Sequence, residues 1–277
     1  MLRGLWVMLA VGCTEVANPA YCDENADCNN GTVCNLDTHG CVTALVDAGT
    51  PDEVVEPDAP FVARTIQEVR AVSTPVDTPV VLSDVIITAI DRAGGMGDVW
   101  VQDVGGGPNS GIHVFSVLAT DLDVLDVGHV IDISNARKAT YGNCGSNSTR
   151  IEIEILPAVG GALVITKKGT GVVQTTTLDV AAIESLSPSQ QDEELETWAG
   201  MLVRMTNIRA DGPTEMAGNV QQFPIGPIRV NNTQSPLPSG IVVGTCFDEI
   251  VGVIECFTTY NVVPRQSSDI ALGASCP

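Results

Sequence analysis

The chain has 277 residues, and its 34 Asp and Glu against 13 Lys and Arg give a formal net charge of −21. Nonspecific binding to nucleic acid draws on clustered Lys and Arg, so a chain this acidic argues against that function. Aromatic residues make up 4% while Val, Ile and Leu are plentiful, which favours strands, and no window of the mature chain holds the ~18 uncharged apolar residues of a membrane-spanning helix.

The first segment, residues 1–12, has the layout of a secretory signal: Arg3, the apolar run Leu5–Val11 and then Gly12. The residues Leu9–Cys13 resemble a bacterial lipobox, whose cysteine is acylated and becomes the new N-terminus. Nine cysteines leave one over if the others pair, and a lipidated Cys13 accounts for it. The alternative is an ordinary cleaved signal with Cys13 in a disulfide. Lipidation would hold the protein at the outer membrane or cell surface of a Gram-negative bacterium without spanning the membrane.

Residues 13–42 form a module that contains Cys22, Cys28, Cys34 and Cys41, and residues 43–63 form an acidic linker. Because the module is too short to bury a core, we expect two disulfides to hold it. A zinc site would need a C-x2-C pair, which is absent, and an EF-hand calcium loop would need Gly where Cys28 stands. Ten acidic residues and no Lys or Arg between Thr14 and Ala63 predict an extended spacer.

Residues 64–165 are predicted to form a five-stranded β-barrel. After a short lead-in helix, Thr65–Arg70, alternating apolar runs predict strands at Val80–Ile90, Asp98–Val104, Gly111–Val117, Val130–Lys138 and Arg150–Leu156. The segment GGGPNS at 105–110 is expected to join the second and third strands as a hairpin loop, and a short element at Asp121–Leu125 follows the third. This order matches the OB-fold.

A connector, residues 166–200, contains a predicted helix at Val180–Leu186, and residues 201–277 are predicted to form a second barrel, with its first strand in Trp198–Asp211. An internal repeat supports it, because Asp84–Thr88 aligns with Leu202–Thr206 and Thr140–Tyr141 then falls opposite Thr259–Tyr260. The remaining cysteines, Cys144, Cys246, Cys256 and Cys276, allow three disulfide pairings. The predicted fold class is therefore all-β, with two tandem OB-like five-stranded barrels.

The pattern VLSDVIITAID, GDVWVQD, SGIHVF and LDVGHVIDI resembles the OB-fold domains of secreted bacterial nucleases and of related bacterial surface lipoproteins. The second copy, from WAGMLVRMTNI to the terminal Pro-Arg and Asp-Ile, resembles the closing domain of the same group. The resemblance covers residues 64–275 and implies the fold. Those nucleases carry a separate metal-dependent catalytic domain, which we expect this chain to lack.

Strand alternation predicts a ligand-binding face on the first barrel. Trp100 and Gln102 should point away from Val99 and Val101, and His113 and Phe115 should lie beside them on the next strand. OB-folds bind oligonucleotides and oligosaccharides on this face. The predicted ligand-binding residues are Trp100, Gln102, His113, Phe115, Arg137, Lys138 and Tyr141. In the alternative arrangement the faces are reversed, and Trp100 and Phe115 fill the barrel.

The second copy offers a weaker platform of the same kind, made of Gln221, Phe223, Arg229 and Asn231. No catalytic, metal or cofactor site is predicted, because the sequence has no nucleophile elbow, HExxH, Walker A or GxGxxG before a helix. We interpret His39 and His129 as solvated or hydrogen-bonded histidines. Asp121, Asp123 and Asp126 could gather around calcium, although a solvated turn is the preferred interpretation.

The leading functional hypothesis is a lipid-anchored, extracytoplasmic, non-enzymatic binding or scaffold protein whose ligand is an unidentified protein or glycan. The alternative is an accessory nucleic-acid-binding protein that acts with a separate secreted nuclease. The resemblance supports this alternative, and the net charge opposes it. A metal-dependent hydrolase is a third hypothesis, for which no set of ligands converges.

Overall fold

The computed structural model describes residues 32–35, 40–43, 62–92, 96–144, 150–257 and 259–276. The chain divides into two compact units, Met1–Asp58 and Ala59–Pro277. In the first unit, strands β1 (Thr32–Asn35) and β2 (Gly40–Thr43) pair antiparallel, with Cys34 opposite Cys41 along the backbone. Outside the described residues lie the predicted signal and lipidation site, Cys22, Cys28, His39 and most of the acidic linker.

The second unit contains the predicted five-stranded barrel, and the barrel is closed. Its strands are β4 (Pro79–Asp91), β5 (Met96–Asp103), β6 (Gly111–Leu118), β7 (His129–Cys144) and β8 (Arg150–Pro157). They pair in the order β4–β5–β6–β8–β7, and β7 pairs back with β4. Strands β6 and β8 are parallel and the other pairs are antiparallel. Helix α2 (Ala119–Leu122) follows the third strand, so the OB-like order is confirmed.

Three further short elements belong to the barrel region: β3 (Ala63–Arg64), α1 (Ile66–Arg70) and β9 (Val164–Thr170). Strand β9 pairs with β7. Helix α1 is the predicted lead-in helix. It begins with a capping box, in which the Thr65 hydroxyl accepts from the Glu68 amide and the Glu68 carboxylate accepts from the Thr65 amide at 2.8 Å. Ile66 and Val69 of α1 are fully buried in the barrel core.

Apolar side chains at alternating strand positions fill the barrel as predicted, and its core contains Val99, Val101, Ile112 and Val114. Closing the five strands into a barrel requires the long strands β4 and β7 to bend. Strand β4 shifts its register against β7 between Leu82 and Val85, where Asp84 has a φ of 54°. Such bulges bend a strand locally and let it close a small barrel.

Residues 176–272 form a second sheet with the same strand order, but this sheet is open. Its strands are β10 (Thr176–Thr177), β11 (Leu202–Arg209), β12 (Glu215–Ala217), β13 (Val220–Ile225), β14 (Ile228–Asn231), β15 (Cys246–Phe257), β16 (Thr259–Val263) and β17 (Ile270–Leu272). The order is β10–β11–β15–β16–β14–β13–β12, with β17 beside β15. No strand ladder among these residues joins β11 to β13, so the predicted second barrel does not close.

The connector carries two helices, α3 (Val180–Glu184) and α4 (Pro188–Trp198). The first was predicted, whereas the second replaces the predicted start of a strand at Trp198. A capping box between Ser187 and Gln190, with Pro188 in the first turn, starts α4, and the acidic run QDEELE that follows is composed of residues that tolerate a helix. None of the helices among the described residues is long and apolar enough to cross a membrane.

The internal repeat holds at its first strand but not at its second motif. Asp84–Thr88 lies in β4 and Leu202–Thr206 in β11, which occupy equivalent places in the two sheets. Thr140–Tyr141, in contrast, lies in β7 of the barrel, whereas Thr259–Tyr260 opens β16, which pairs antiparallel with β15 as β8 pairs with β7.

The barrel and the second sheet are joined by a disulfide and by close packing. Of the three possible pairings, the structure has Cys144–Cys256, which links β7 to β15 across 112 residues, and Cys246–Cys276. Gly111 and Gly200 bring the two backbones so close that a Cβ on either would collide with the other chain segment. Only glycine fits such an approach.

Candidate ligand-binding cleft

A cavity of about 590 Å³ lies between the outer face of the barrel and the second sheet, and we call it the cleft. On the barrel side it is lined by Asp91, Asp98, Trp100, His113, Phe115, Tyr141 and Glu154. On the sheet side its polar lining includes Gln222, Asn231, Thr233, Glu255, Thr259 and Asn261. Cavities of this size, with aromatic walls and a few polar groups, commonly bind small ligands.

Strand register explains why the barrel side chains converge. Trp100 of β5 lies directly opposite His113 of β6, and His113 lies opposite Glu154 of β8. Paired residues of neighbouring strands point to the same face, as do residues two apart along one strand. Asp98 precedes Trp100 by two positions and Phe115 follows His113 by two, so all five face outward from the barrel.

His113 is the centre of this group. Its ring stacks on Trp100, with ring centroids 4.7 Å apart and an interplanar angle of 10°, and meets the edge of Phe115 at 6.1 Å. Nδ1 lies 3.0 Å from Glu154 Oε1, and Nε2 lies 3.5 Å from Asp98 Oδ2. The two carboxylates and the two neighbouring rings together orient the His113 ring in the aromatic wall of the cleft.

Glu255 faces His113 from the second sheet. Burial raises the pKa of its carboxyl above the ordinary glutamate value, and the nearby Asp98 and Asp91 charges act in the same direction. The hydrogen bond from Asn231 Nδ2 to Glu255 Oε1, at 3.1 Å, and the proximity of His113 oppose this rise in pKa. Burial is the largest contribution, so the cleft contains a carboxyl group that holds its proton more tightly than a solvated one.

The substitution Glu255→Gln is expected to stabilise the protein at high pH and to leave its stability unchanged at low pH. Because the folded-state pKa of Glu255 is raised, its favourable contribution is complete below the unfolded pKa and is lost as pH rises through the folded pKa. Glutamine imitates the protonated form and keeps an oxygen for Asn231. Urea unfolding of wild type and variant at about pH 4 and about pH 8 measures this difference.

Glu184→Gln, at an exposed position of α3, is the control for this experiment. Its free energy of unfolding should not rise relative to the wild type between the lower and the higher pH. Equal stability of wild type and Glu255→Gln at the higher pH would contradict the raised pKa.

Of the predicted ligand-binding residues, the structure brings four into the cleft: Trp100, His113, Phe115 and Tyr141. The alternation that placed Trp100, His113 and Phe115 outside the barrel is confirmed, and the reversed arrangement is wrong, since the barrel core holds Val99 and Val101 instead. The four differ in exposure, however. Phe115 and Tyr141 are 43% and 52% exposed, whereas Trp100 is 2% exposed because the second sheet covers it.

The other three predicted residues lie outside the cleft lining, each held by protein groups. Gln102 is buried, where its Nε2 donates to Gln174 O at 2.9 Å. Arg137 forms an ion pair with Asp77 and donates from Nε to Pro157 O at 3.2 Å. The third is Lys138.

Lys138 is buried, and its Nζ donates to the carbonyl oxygens of Thr74 at 2.7 Å and Ala71 at 3.0 Å. Burial, with the Arg70 charge nearby, lowers its pKa. A lysine in this environment anchors the segment that precedes β4 and is not available to a ligand.

The weaker platform of the second copy is dispersed. Phe223 is fully buried and stacks on Phe247 at 5.2 Å, while Arg229 pairs with Glu215 at 3.5 Å. Gln221 is exposed, and only Asn231 lines the cleft. The reason is that β13 places Phe223 on its core-facing side.

The other candidate residues have structural roles. His129 Nδ1 accepts from the Asp126 amide at 2.9 Å and its Nε2 lies 2.8 Å from Lys167 Nζ. Asp121 and Asp123 lie in and just after α2, and Asp126 pairs with Arg92 at 3.5 Å. No group of His, Cys, Asp or Glu in the described ranges is arranged to hold a metal ion. The GGGPNS segment lies between β5 and β6 as the predicted hairpin loop.

The sequence interpretation missed the carboxylates of the cleft. Asp98 could have been found, because it shares the alternation of Trp100 along β5. Glu154 reaches His113 only through the parallel pairing of β6 with β8. Glu255 reaches it only through the packing of the second sheet on the barrel, which no local pattern encodes.

Comparison with known proteins yields little. No protein-family model matches the sequence, and no curated protein matches it either. Among solved structures, one described as "Molecular basis for abrogation of activation of pro-inflammatory cytokines" is 10% identical, with a TM-score of 0.29, over 72% of this chain and 94% of that chain.

The Ifi202 HINa domain in complex with double-stranded DNA is 12% identical, with a TM-score of 0.30, over 71% of this chain and 91% of that one. A Replication Protein A heterotrimer bound to single-stranded DNA is 15% identical, with a TM-score of 0.24, over 72% of this chain and 49% of that chain. Both contain DNA, but TM-scores this low carry no argument about what the present chain binds. The OB-like assignment therefore rests on strand order.

Proposed function

We propose that the protein is a non-enzymatic binding protein, anchored outside the cytoplasm through a lipid on Cys13, whose ligand occupies the cleft. The observation that carries the proposal is a cavity of about 590 Å³ with two half-exposed aromatic rings, Phe115 and Tyr141, above a wall of carboxylates and amides. Exposed aromatic rings bury apolar surface when a ligand covers them, which favours binding. The polar groups of the same cavity can then fix the orientation of the ligand.

The charge of the cleft favours this proposal over the nucleic-acid alternative. The described residues that line the cleft include four carboxylates and neither Lys nor Arg. Elsewhere, ion pairs with Asp or Glu engage Arg70, Arg92, Arg137, Lys168, Arg204, Arg229 and Arg265. Phosphate groups bind where basic side chains are unpaired and clustered, so these surfaces should repel a nucleic-acid backbone.

The test is a thermal-shift panel on the full chain with three probes of different chemistry: spermidine, maltotriose and a short single-stranded DNA. We expect at least one of the first two to raise the Tm of the wild type and to have no effect on the double variant Phe115→Ala, Tyr141→Ala, because binding to the folded state stabilises it. The DNA should give no shift and no fluorescence anisotropy change at low salt.

Leu272→Ala is the matched control, because Leu272 is a large apolar side chain, 56% exposed, on β17 outside the cleft lining. It should respond to the probes as the wild type does. The proposal fails if no probe shifts the wild type, or if the shift persists in the double variant. A DNA shift that weakens steeply with salt would instead support the accessory nucleic-acid-binding function.

A further inference from the structure

We infer that the cleft recognises a ligand through an ammonium or guanidinium group, carried by a free organic amine or by a basic side chain of a peptide. This inference rests on the proposed function and specifies the chemistry of the ligand at the same site.

The first argument is charge. Asp91, Asp98, Glu154 and Glu255 line the cleft from both of its walls, and the single basic group among the described lining residues is His113. Glu154 and Asp98 both lie near the His113 ring, but the Asp98 side chain is 26% exposed, against 5% for Glu154, and can meet a ligand. Carboxylates in a concave site focus negative potential into it, and a cation is the ligand that this potential attracts.

The second argument is the aromatic wall. Phe115 and Tyr141 present exposed rings to the same cavity that the carboxylates line. An aromatic face attracts an ammonium or guanidinium group through its quadrupole, most strongly where water is partly excluded. Rings alone would suit an apolar ligand or a sugar, and carboxylates alone would suit any cation. Their combination selects an organic cation.

Other occupants fit less well. The groups lining the cleft do not form a metal site in the described part of the chain. The protein's own linker between residues 43 and 63 carries five Asp and Glu and no Lys or Arg, so it would be repelled from the cleft. Nucleic acid is disfavoured by the same repulsion.

The protonation of Glu255 provides a second test of the inference. Its carboxyl faces His113, Asp98 and Asp91 from the barrel and Asn231 from its own sheet, and burial favours its protonated form. A bound cation favours the ionised form. Binding should therefore lower the pKa of Glu255 and release protons to the buffer over the pH range in which this carboxyl titrates, and affinity should increase as pH rises.

The experiment is isothermal titration calorimetry of the full chain with spermidine and, separately, with a peptide that contains two lysines. Two buffers of different ionisation enthalpy measure the protons released. We expect at least one probe to bind and to release protons. Asp98→Asn should weaken binding about tenfold or more, since it removes a charged partner, and Glu255→Gln should abolish the proton release. Tighter binding of spermidine identifies a free amine as the ligand, and tighter binding of the peptide identifies basic side chains.

Asp123→Asn is the matched control, because it removes the same charge from an exposed position just after α2. It should change the affinity less than about twofold. Equal weakening by Asp98→Asn and Asp123→Asn would show general screening and overturn the inference. Circular dichroism confirms that each variant is folded.

The inference is also overturned if neither cation binds. If maltotriose then still stabilises the wild type but not the Phe115→Ala, Tyr141→Ala variant, the proposed function stands and only the chemistry of the ligand is wrong. If no probe stabilises the wild type, both proposals fail.

Discussion

Replacing Trp100 with alanine is expected to lower the free energy of unfolding by about 3–5 kcal/mol, the usual cost of deleting a buried tryptophan. The side chain is 2% exposed and packs with Ala89 against Leu202, Val251, Val253 and Val263 of the second sheet. It also supports His113 by stacking at 4.7 Å. Its Nε1 has no hydrogen-bond partner among the described residues, so the expected loss comes from packing.

The structure offers little opportunity for this cavity to collapse. Trp100 is held on the β5 side by the strand ladder with β4 and β6, and the facing sheet is tied to the barrel by the Cys144–Cys256 disulfide. Walls that cannot move toward each other leave the void open, and the cost of a void rises with its volume. Urea unfolding followed by far-ultraviolet circular dichroism measures the change without depending on tryptophan fluorescence.

Phe115→Ala is the control for this prediction. Phe115 lies on the same face, two positions beyond the residue opposite Trp100, but it is 43% exposed. Its replacement should cost roughly 1 kcal/mol or less while removing part of the aromatic wall of the cleft. Similar losses of stability in the two variants would contradict the burial of Trp100 between the sheets.

Replacing Arg70 with alanine is the second substitution with a large expected effect, again about 3–5 kcal/mol. Arg70 ends helix α1, and its side chain is 4% exposed. One guanidinium nitrogen donates to Gly111 O and Ala199 O, both at 3.2 Å. The other donates to the Glu196 carbonyl at 2.6 Å and to Glu196 Oε1 at 2.8 Å.

Removing the guanidinium would leave these acceptors without their donor in a place that water reaches poorly. Among the described residues, the Glu196 carboxylate, 17% exposed, would keep the hydrogen bond from the Tyr260 hydroxyl, which donates to Oε2 at 2.9 Å. An uncompensated buried charge costs more than the ion pair itself contributes. The double variant Arg70→Met, Glu196→Gln should therefore be more stable than Arg70→Ala, because it removes both charges together.

Arg204→Ala is the matched control, since Arg204 pairs with Glu249 at 3.3 Å but both side chains are more than a third exposed, at 43% and 37%. Exposed pairs contribute about 0–1 kcal/mol, so this variant should unfold close to the wild-type denaturant concentration. The importance assigned to Arg70 would be wrong if Arg70→Ala and Arg204→Ala were equally mild.

Arg70 joins the barrel to the end of helix α4, whereas Trp100 lies in the contact between the barrel and the second sheet, where the cleft also lies. Trp100 and Cys256 line the cleft and also join the two sheets. Binding measurements on variants of these residues therefore need a stability measurement beside them. Phe115, Tyr141 and Asp98 are the positions where binding can be changed with the smaller structural cost.

The amino-acid sequence alone predicts the architecture of the barrel and the direction of its side chains. Five apolar-alternating runs predicted strands that the structure has within a few residues at most boundaries, and Val99, Val101, Ile112 and Val114 fill the barrel as expected. This succeeds because alternation has a period of two along a strand and depends only on which face is buried.

The environment of the outer face depends instead on how the second sheet packs against the barrel. The second sheet covers Trp100 and Gln102, leaves Phe115 and Tyr141 exposed, and brings Glu255 opposite His113. It also selected Cys144–Cys256 from three possible pairings. These outcomes depend on contacts between residues far apart in the sequence, such as Gln102 and Gln174, 72 positions apart, and Cys144 and Cys256, 112 positions apart. A pattern with a period of two carries no information about which distant segment packs against a strand.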